Sequence, residues 1–207
     1  VPKKVVVVRN GLDLKKFKKS DFPDFQIARI LAIGSLLPIK RWDRLLRAAA
    51  ELKKMGHGFE IRLVGGGPLR SSLEQESQDL GLSGNFQFLG HRNDIPALLA
   101  DSNFLVHTSD REGCPNVITE AMACGRAVVA TDVGDVSTLI EDGKTGFLVE
   151  REESEELICR MRMLLNDRDL CRRMGERSRV KAERELGVER LLSETLAVYK
   201  MGGWCPS

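Results

Sequence analysis

The regular alternation of short apolar runs with helical segments limits the possible folds of this 207-residue chain more than any other feature. Each run is rich in β-branched residues, stops at a turn, and is followed by a segment with apolar residues every three or four positions. A strand followed by a helix, repeated along the chain, is typical of a parallel sheet with helices on both faces. The sequence therefore predicts an α/β fold.

The predicted elements describe a Rossmann-like doubly wound parallel sheet with C-terminal helices. The strands are predicted at 5–8, 27–33, 59–64, 86–89, 104–107, 127–130 and 147–149. The helices are predicted at 42–55, up to 80, and at 95–100, 115–124 and 136–140. We expect about 1–150 to form the sheet-containing core and 151–207 to be helical, within a single domain.

Composition excludes several classes of protein. Hydrophobic residues make up 42% and charged residues 30%, a balance that is typical of a globular chain. The net charge of +2 is too small to predict nucleic-acid binding. The sequence has no apolar run of about 18 residues, the length that spans a bilayer. Five cysteines without C-x-x-C spacing predict reduced thiols, and therefore a cytoplasmic location.

Lysines are concentrated in the first twenty residues. One interpretation is a solvated edge of the domain. The other is contact with anionic lipid, at the inner face of a membrane, or with a phosphorylated acceptor. The residues of this cluster are Lys3, Lys4, Lys15, Lys16, Lys18 and Lys19.

The strongest local signal follows the strand predicted at 104–107. Pro115 suits the first turn of the next helix, where no N–H is needed. Free N–H groups and the positive end of the helix dipole then predict an anion site. Glu112 and Glu120, on either side of the helix start, are suited to hold the sugar and the ribose of a diphosphate-linked ligand. Alternatively, the two glutamates only complement the helix dipole. The N–H donors are those of Gly113, Cys114, Asn116 and Val117.

Two glycine-containing loops are weaker signals. The loop from Gly34 through Ser35 to Lys40 brings a lysine to the start of a helix, where an ammonium suits a phosphate. The alternative is a solvated lysine beside Arg41. The run Gly65–Gly67 predicts either a tight turn or the close approach of a nucleotide. It is not the G-x-G-x-x-G dinucleotide fingerprint.

Several motifs are missing from the sequence. It has no P-loop, and its three histidines lack metal-ligand spacing, so we expect no metal. His107 ends a predicted strand beneath the candidate site, and its simplest interpretation is a half-buried packing residue.

Together these segments resemble the carboxyl-terminal, donor-binding domain of the family-4, or group 1, retaining glycosyltransferases, which have the GT-B fold. The resemblance covers about 5–150 and is centred on the E-x7-E stretch from Glu112 to Glu120. The matching segments, in chain order, are 9–13, 34–40, 64–68, 88–90, 112–131, 133–134 and 142–149.

The resemblance implies a retaining, metal-independent transfer of a sugar from a nucleotide-sugar donor, without a cofactor. Glu112 and Lys40 would be catalytic, with Lys40 neutralising the departing diphosphate, and Glu120 would accept hydrogen bonds from the ribose. The nucleotide base would lie near Gly90. The implied donor-binding residues are Gly34, Ser35, Lys40, Gly65, Gly66, Gly90, His91, Arg92, Glu112, Gly113, Cys114, Pro115, Asn116, Val117 and Glu120.

This sequence departs from the family pattern at two positions. Ser35 stands where the family usually has an arginine, so half of the phosphate clamp is missing or is supplied by another residue such as Arg41. Pro115 stands where many members have glycine.

GT-B enzymes work in a cleft between two Rossmann-like domains, and this chain has the length of one. We therefore expect the N-terminal, acceptor-binding domain to be absent, and the isolated chain to bind donor without completing transfer to a saccharide or lipid-linked acceptor. Two alternatives remain open at this point. They are a nucleotide-sugar epimerase with a GT-B-like fold and a non-catalytic nucleotide-binding scaffold.

Overall fold

A computed structural model describes residues 6–24, 26–152 and 154–203. Within them the strands are β1 (Ala28–Ile33), β2 (Phe59–Val64), β3 (Phe86–Gly90), β4 (Phe104–His107), β5 (Ala127–Thr131) and β6 (Gly146–Val149). The helices are α1 (Trp42–Lys54), α2 (Arg70–Asp79), α3 (Ile95–Ala100), α4 (Asn116–Ala123), α5 (Val136–Leu139), α6 (Ser154–Asn166), α7 (Arg168–Glu185) and α8 (Val188–Met201). A short 3-10 helix, Pro38–Lys40, precedes α1.

The strands form one parallel sheet in the order β3-β2-β1-β4-β5-β6. This is the doubly wound order predicted from the sequence, and the prediction of fold class is confirmed. The order reverses between β1 and β4, the strands that follow each other in space but not in the chain. In sheets of this type, ligands bind beyond the carboxyl ends of the strands at that reversal.

Side chains that alternate along the strands divide the core into two layers. Ile30 and Phe104 belong to the layer beneath α1 and α6, whereas Leu31 and Leu105 belong to the layer beneath α3 and α4. Successive strand residues face opposite sides, and β2 alternates buried apolar residues with the half-buried Glu60 and Arg62. In contrast, β4 and β5 are buried on both faces. Burial on both faces explains why β4 and β5 are almost entirely apolar in the sequence.

The C-terminal helices cover the sheet and return to the start of the chain. In α7, Ser178 Oγ donates to the Thr145 carbonyl oxygen over 2.6 Å, which joins the helix to the loop before β6. At the α7–α8 junction, Leu12 N donates to the Leu186 carbonyl over 2.7 Å, and Val188 N donates to the Leu12 carbonyl over 3.1 Å. None of the residues of α8 is buried. Within the described ranges, every helix is too short or too polar to cross a membrane.

The strand predicted at 5–8 is wrong wherever the structure describes it. Val6 and Val7 are 50% and 74% exposed, and 6–8 form no strand. A strand needs a neighbour to pair with, and none of the described strands pairs with 6–8. Val5, Lys3, Lys4 and Cys205 lie outside the described residues.

Candidate functional site

The candidate site lies where β1 and β4 end side by side, at the reversal of strand order. The loop after β1 leads to Lys40, and the loop after β4 leads to Glu112. Two hydrogen bonds join these loops: Thr108 Oγ1 donates to the Lys40 carbonyl, and Asp110 N donates to the Ile39 carbonyl, each over 2.9 Å. The sheet topology therefore brings together two loops that are far apart in the sequence.

Glu112 makes most of the charged contacts in this site. Its Oε1 accepts a close hydrogen bond from Lys40 Nζ and lies 3.0 Å from His107 Nε2. Burial raises the pKa of Glu112, but hydrogen bonds from His107, Lys40 and Ser109 together outweigh burial and lower it to about 2. Glu112 is therefore ionised at neutral pH, and its oxygens act only as acceptors.

His107 corrects the interpretation drawn from the sequence. It is 1% exposed, rather than half-buried, and it contacts the Glu112 carboxylate instead of only packing. Its Nε2 also lies 3.3 Å from Ser109 Oγ. The available signal was its place at the end of a strand, five residues before Glu112. The strand pattern predicts which residues are buried, but not which buried residue contacts the loop that carries Glu112.

The start of α4 presents unpaired N–H groups. Pro115 precedes the helix, with a ψ of 109°, and its carbonyl accepts a hydrogen bond from Ile118 N over 3.1 Å. The predicted helix at 115–124 therefore begins one residue too early, because Pro115 has extended backbone. The N–H groups of this turn donate no hydrogen bond to any described residue, so they are available to an anion. They belong to Gly113, Cys114, Asn116 and Val117.

Gly134 supports the Glu112 loop from behind. Its φ is +57°, and a Cβ there would lie 2.2 Å from the Glu112 carbonyl oxygen and 2.8 Å from that of Gly113. The next residue, Asp135, donates its N–H to the Gly113 carbonyl over 3.0 Å. Only glycine fits so close to this backbone, and the loop carrying Glu112 is thereby fixed on its inner side.

Glu120 differs from Glu112 in having no partner. Within the described residues its carboxylate makes no hydrogen bond and no ion pair, although it is partly buried on α4. Burial raises its pKa, while the charge of Lys16 acts in the opposite direction. A partly buried acceptor without a donor is suited to hydroxyl groups of a ligand.

The loop after β1 contributes one cation to the site, the ammonium of Lys40, which is paired with Glu112. A Cβ at Gly34 would lie 3.5 Å from Lys40 Cε, so the loop's first residue borders the lysine side chain. Ser35 is exposed, and its carbonyl accepts from Trp42 Nε1 over 2.9 Å. The glycine leaves room beside the ammonium, and Ser35 adds no charge.

Arg41 does not replace the missing arginine. Its guanidinium donates to Asp43 Oδ1 and to Asp110 Oδ2, each over 3.0 Å. The hydrogen bonds that Arg41 donates to these two carboxylates raise its pKa further above its usual range. Arg44, which is buried, donates to the other oxygen of Asp110 over 2.9 Å. Arg41 therefore fixes the loops to one another, and its charge is already neutralised.

The glycine run after β2 forms a tight contact with the loop after β1. Gly65 has a φ of +145°, and a Cβ there would lie 1.9 Å from the Gly34 carbonyl oxygen. Leu36 N donates to the Gly66 carbonyl over 2.9 Å. Close backbone packing thus accounts for Gly65, in agreement with the tight turn that was one of two interpretations.

The segment after β3 adjoins this glycine run. Gly65 N donates to the Gly90 carbonyl over 2.9 Å, and a Cβ at Gly66 would lie 3.3 Å from His91 Cδ2. His91 and Arg92 are exposed, and Arg92 donates to Asp94 over 2.8 and 2.5 Å. The residues predicted to surround the nucleotide base therefore form a continuous edge with the loop at Gly66.

The profile of the glycosyl transferases group 1 family matches residues 15–181. The chain belongs to this family. The D-inositol 3-phosphate glycosyltransferase of Nocardia farcinica is 33% identical over 192 residues, which cover 84% of this chain and 43% of that protein. The group 1 chain spans about half the length of the curated relatives it matches, with shares of 47%, 54% and 43%.

Two solved structures are similar to this group 1 domain. Anabaena HepE in complex with UDP-glucose is 29% identical, with a TM-score of 0.84 over 93% of this chain and 57% of that one. The C-terminal domain of the group 1 protein LpcC from Francisella tularensis is 24% identical, with a TM-score of 0.74 over 86% and 100%. The second likeness concerns the fold alone, and the fold is that of one half of a GT-B glycosyltransferase, as predicted.

The described part of the group 1 domain contains four free thiols. In the same residues, no cluster of three or more His, Cys, Asp or Glu side chains is close enough to hold a metal ion. Burial raises the pKa of the Cys114 thiol at the α4 start, and the charge of Asp135 adds to this effect. The Cys114 thiol is therefore uncharged at neutral pH and adds no negative charge to the start of α4.

Proposed function

We propose that this domain binds the nucleotide-sugar donor of a retaining, metal-independent glycosyl transfer, with Glu112 and Lys40 as its catalytic residues. The observation that carries the proposal is the meeting of these two side chains at the reversal of strand order. They lie at the start of α4, whose first N–H groups have no partner among the described residues. Together they offer a cation, a dipole and a carboxylate to one ligand.

The chemistry follows from the placement of charge. The donor's diphosphate takes the N–H groups of the α4 start and the ammonium of Lys40, which leaves its ion pair with Glu112. These groups stabilise the negative charge that develops on the leaving nucleotide, an electrostatic contribution that amounts to several kcal/mol in other enzymes. Glu112, an acceptor only, then holds hydroxyls of the sugar. No metal is needed where a fixed cation and a helix start serve the phosphates.

The nucleoside lies on the other side of the diphosphate from the sugar. Glu120 accepts from the ribose hydroxyls, and the base lies at the edge formed by Gly66, Gly90 and His91. We propose a uridine diphosphate sugar as donor, because HepE, which is similar over nearly the whole of this chain, holds UDP-glucose. The sugar of this protein's own donor is left open by that likeness.

Completed transfer needs a second, acceptor-binding domain facing the strand ends. Two observations support this part of the proposal. The chain spans about half the length of its curated relatives, and α8 exposes Leu192 (62%) and Tyr199 (55%). An apolar helix face next to the N-terminal segment is suited to packing against such a domain. The acceptor is a saccharide or a lipid-linked molecule, reached from the cytoplasm at the inner face of a membrane.

Calorimetric titration of this chain with UDP, GDP and ADP, in EDTA, tests the proposal. We expect UDP to bind most tightly, and adding Mg²⁺ after dialysis to leave its affinity unchanged. Glu120→Ala should weaken UDP binding by about tenfold, since a hydrogen bond to a charged group contributes about 1.5–3 kcal/mol. Glu155→Ala, an exposed glutamate on α6, is the control.

Three results would contradict the proposal in different ways. Absence of binding by all three nucleotides argues against a donor site. Binding that requires Mg²⁺ argues against a metal-independent site. Nucleotide binding that Glu120→Ala leaves unchanged is what a scaffold with another nucleotide site would give.

A further inference from the structure

His107 lies directly behind the Glu112 carboxylate, as the last residue of β4. Its side chain is 1% exposed. Nε2 lies 3.0 Å from Glu112 Oε1 and 3.3 Å from Ser109 Oγ. Nδ1 is buried and has no hydrogen-bond partner among the described residues. The Nε2 edge of the ring therefore contacts Glu112 and Ser109, and the Nδ1 edge makes no polar contact with the described residues.

The contacts favour one tautomer of His107. A carboxylate oxygen only accepts, so Nε2 must carry the hydrogen if it is to bond Glu112. With the hydrogen on Nε2, the buried Nδ1 is a bare lone pair. With the hydrogen on Nδ1, an N–H donor would be buried without a partner and a lone pair would face the carboxylate, which is the less favourable arrangement. Ser109 is itself fixed, because Thr131 Oγ1 donates to its carbonyl over 2.6 Å.

Lys40 and His107 share the same oxygen of Glu112. Both Lys40 Nζ and His107 Nε2 contact Oε1. A diphosphate at the α4 start competes with Glu112 for the ammonium of Lys40. If Lys40 were the only partner, the carboxylate would lose its orientation when the ammonium moved. The bond from His107 comes from a rigid strand and is independent of that movement.

We propose that His107 is a positioning residue, which keeps the Glu112 carboxylate in place while Lys40 moves from Glu112 to the diphosphate of the donor. The inference rests on the proposed function of this site. It assigns Lys40 and His107 different roles: Lys40 exchanges its anion when the donor binds, and His107 keeps its contact with Glu112. Oε2 of Glu112 is then presented to the sugar in a fixed orientation.

The first test needs no donor. Carboxyl-¹³C NMR of glutamate-labelled protein follows the titration of Glu112, assigned with Glu112→Gln. His107→Leu should raise the pKa of Glu112 by about one pH unit, because a hydrogen bond to the charged form is lost. His107→Gln, which retains an N–H donor of similar reach, should raise it less. If His107→Leu leaves the pKa of Glu112 unchanged while the protein stays folded, His107 does not hold the carboxylate and the proposal is overturned.

The second test separates the sugar from the nucleotide, using UDP and UDP-glucose as probes in calorimetry. His107→Leu should leave the affinity for UDP within about twofold and weaken UDP-glucose by about tenfold, the loss of one hydrogen bond to a charged group. His107→Gln should restore most of the difference. His57→Leu, a histidine that follows α1, is the control.

The outcomes separate this inference from the function on which it rests. Equal loss of UDP and UDP-glucose in His107→Leu, without rescue by His107→Gln, indicates a merely structural residue and overturns the proposal. If the unmutated protein binds neither probe, the proposed donor fails, and the NMR titration still decides whether His107 positions Glu112.

Discussion

The two ends of the candidate site differ in how completely they are formed before any ligand binds. At one end, Glu112 has Lys40 and His107 as partners and a pKa lowered to about 2. At the other end, Glu120 has no polar partner among the described residues, and burial raises its pKa. The Glu112 end is therefore already organised, whereas the Glu120 end is left for a ligand to complete.

The difference follows from what supports each carboxylate. Glu112 lies on the loop from β4 to α4. Lys40 and His107 contact its side chain, and Gly134 packs against its backbone. Glu120 stands on a helix, whose backbone is satisfied internally and leaves the side chain alone. Glu112 keeps a fixed geometry, but its partners must be desolvated. Glu120 is partly desolvated without a hydrogen-bond donor, which lowers stability until the hydroxyl groups of a ligand bind to it.

The largest expected effect removes the support behind the organised end. Gly134→Ala places a Cβ 2.2 Å from the Glu112 carbonyl oxygen, in addition to the strain of a φ of +57°. We expect the free energy of unfolding in urea to fall by about 3 kcal/mol and UDP binding to be lost. Gly143→Ala is the matched control, because Gly143 has a φ of +71° with open space around it and should cost only about 1 kcal/mol. An equal decrease in the free energy of unfolding in the two variants would show that the contact of Gly134 with the Glu112 loop does not contribute to stability.

The next effect removes the cation that the organised end shares with the donor. Lys40→Met keeps most of the unbranched side chain and removes its ammonium, so we expect UDP affinity to fall by about tenfold or more in calorimetry. Lys54→Met, at an exposed lysine on α1, should leave UDP affinity unchanged. Full UDP affinity in Lys40→Met would mean that the α4 start holds the diphosphate alone.

The two carboxylates should also respond to pH with opposite sign. The folded pKa of Glu112 is about 2, below its ordinary value of 4.5, so its contribution to stability is present above pH 4.5 and is lost as pH falls towards 2. The folded pKa of Glu120 is raised, so its ionisation costs stability as pH rises through the ordinary value. At pH 7, Glu112→Gln should therefore destabilise the domain and Glu120→Gln should stabilise it, each by about 1 kcal/mol or less after solvent screening.

Urea unfolding at pH 7 and pH 3.5 measures this difference. The stability gap between Glu112→Gln and the unmutated protein should narrow at the lower pH. Glu120→Gln should be more stable than the unmutated protein at pH 7, and this difference in the free energy of unfolding should also become smaller at pH 3.5. The same sign for both variants at pH 7 would contradict the contrast between the two ends.

Local patterns in the sequence predicted the doubly wound sheet and the helix that carries Glu120, because the strands bury their apolar residues and the helices bury one apolar face. They failed for 6–8, because strand formation depends on pairing with a neighbour and no described strand pairs with this segment. The partners of the functional side chains depend on long-range packing. Lys40 and Glu112 are 72 positions apart, and Arg41 and Asp110 are 69 apart. No spacing within one segment predicts such pairs.

The smallest expected effect adds the charge that this sequence lacks in the loop after β1. Ser35 is exposed beside Gly34, and Arg41 is already neutralised by Asp43 and Asp110. Ser35→Arg should therefore strengthen UDP binding by about threefold, the scale of one exposed charge pair, and the gain should shrink at high salt. Ser71→Arg, an exposed serine on α2, controls for net charge. If Ser35→Arg and Ser71→Arg give the same gain, the effect is one of overall charge. If Ser35→Arg alone weakens binding, the loop has been shaped around the absence of an arginine, with Lys40 as its sole cation for the donor.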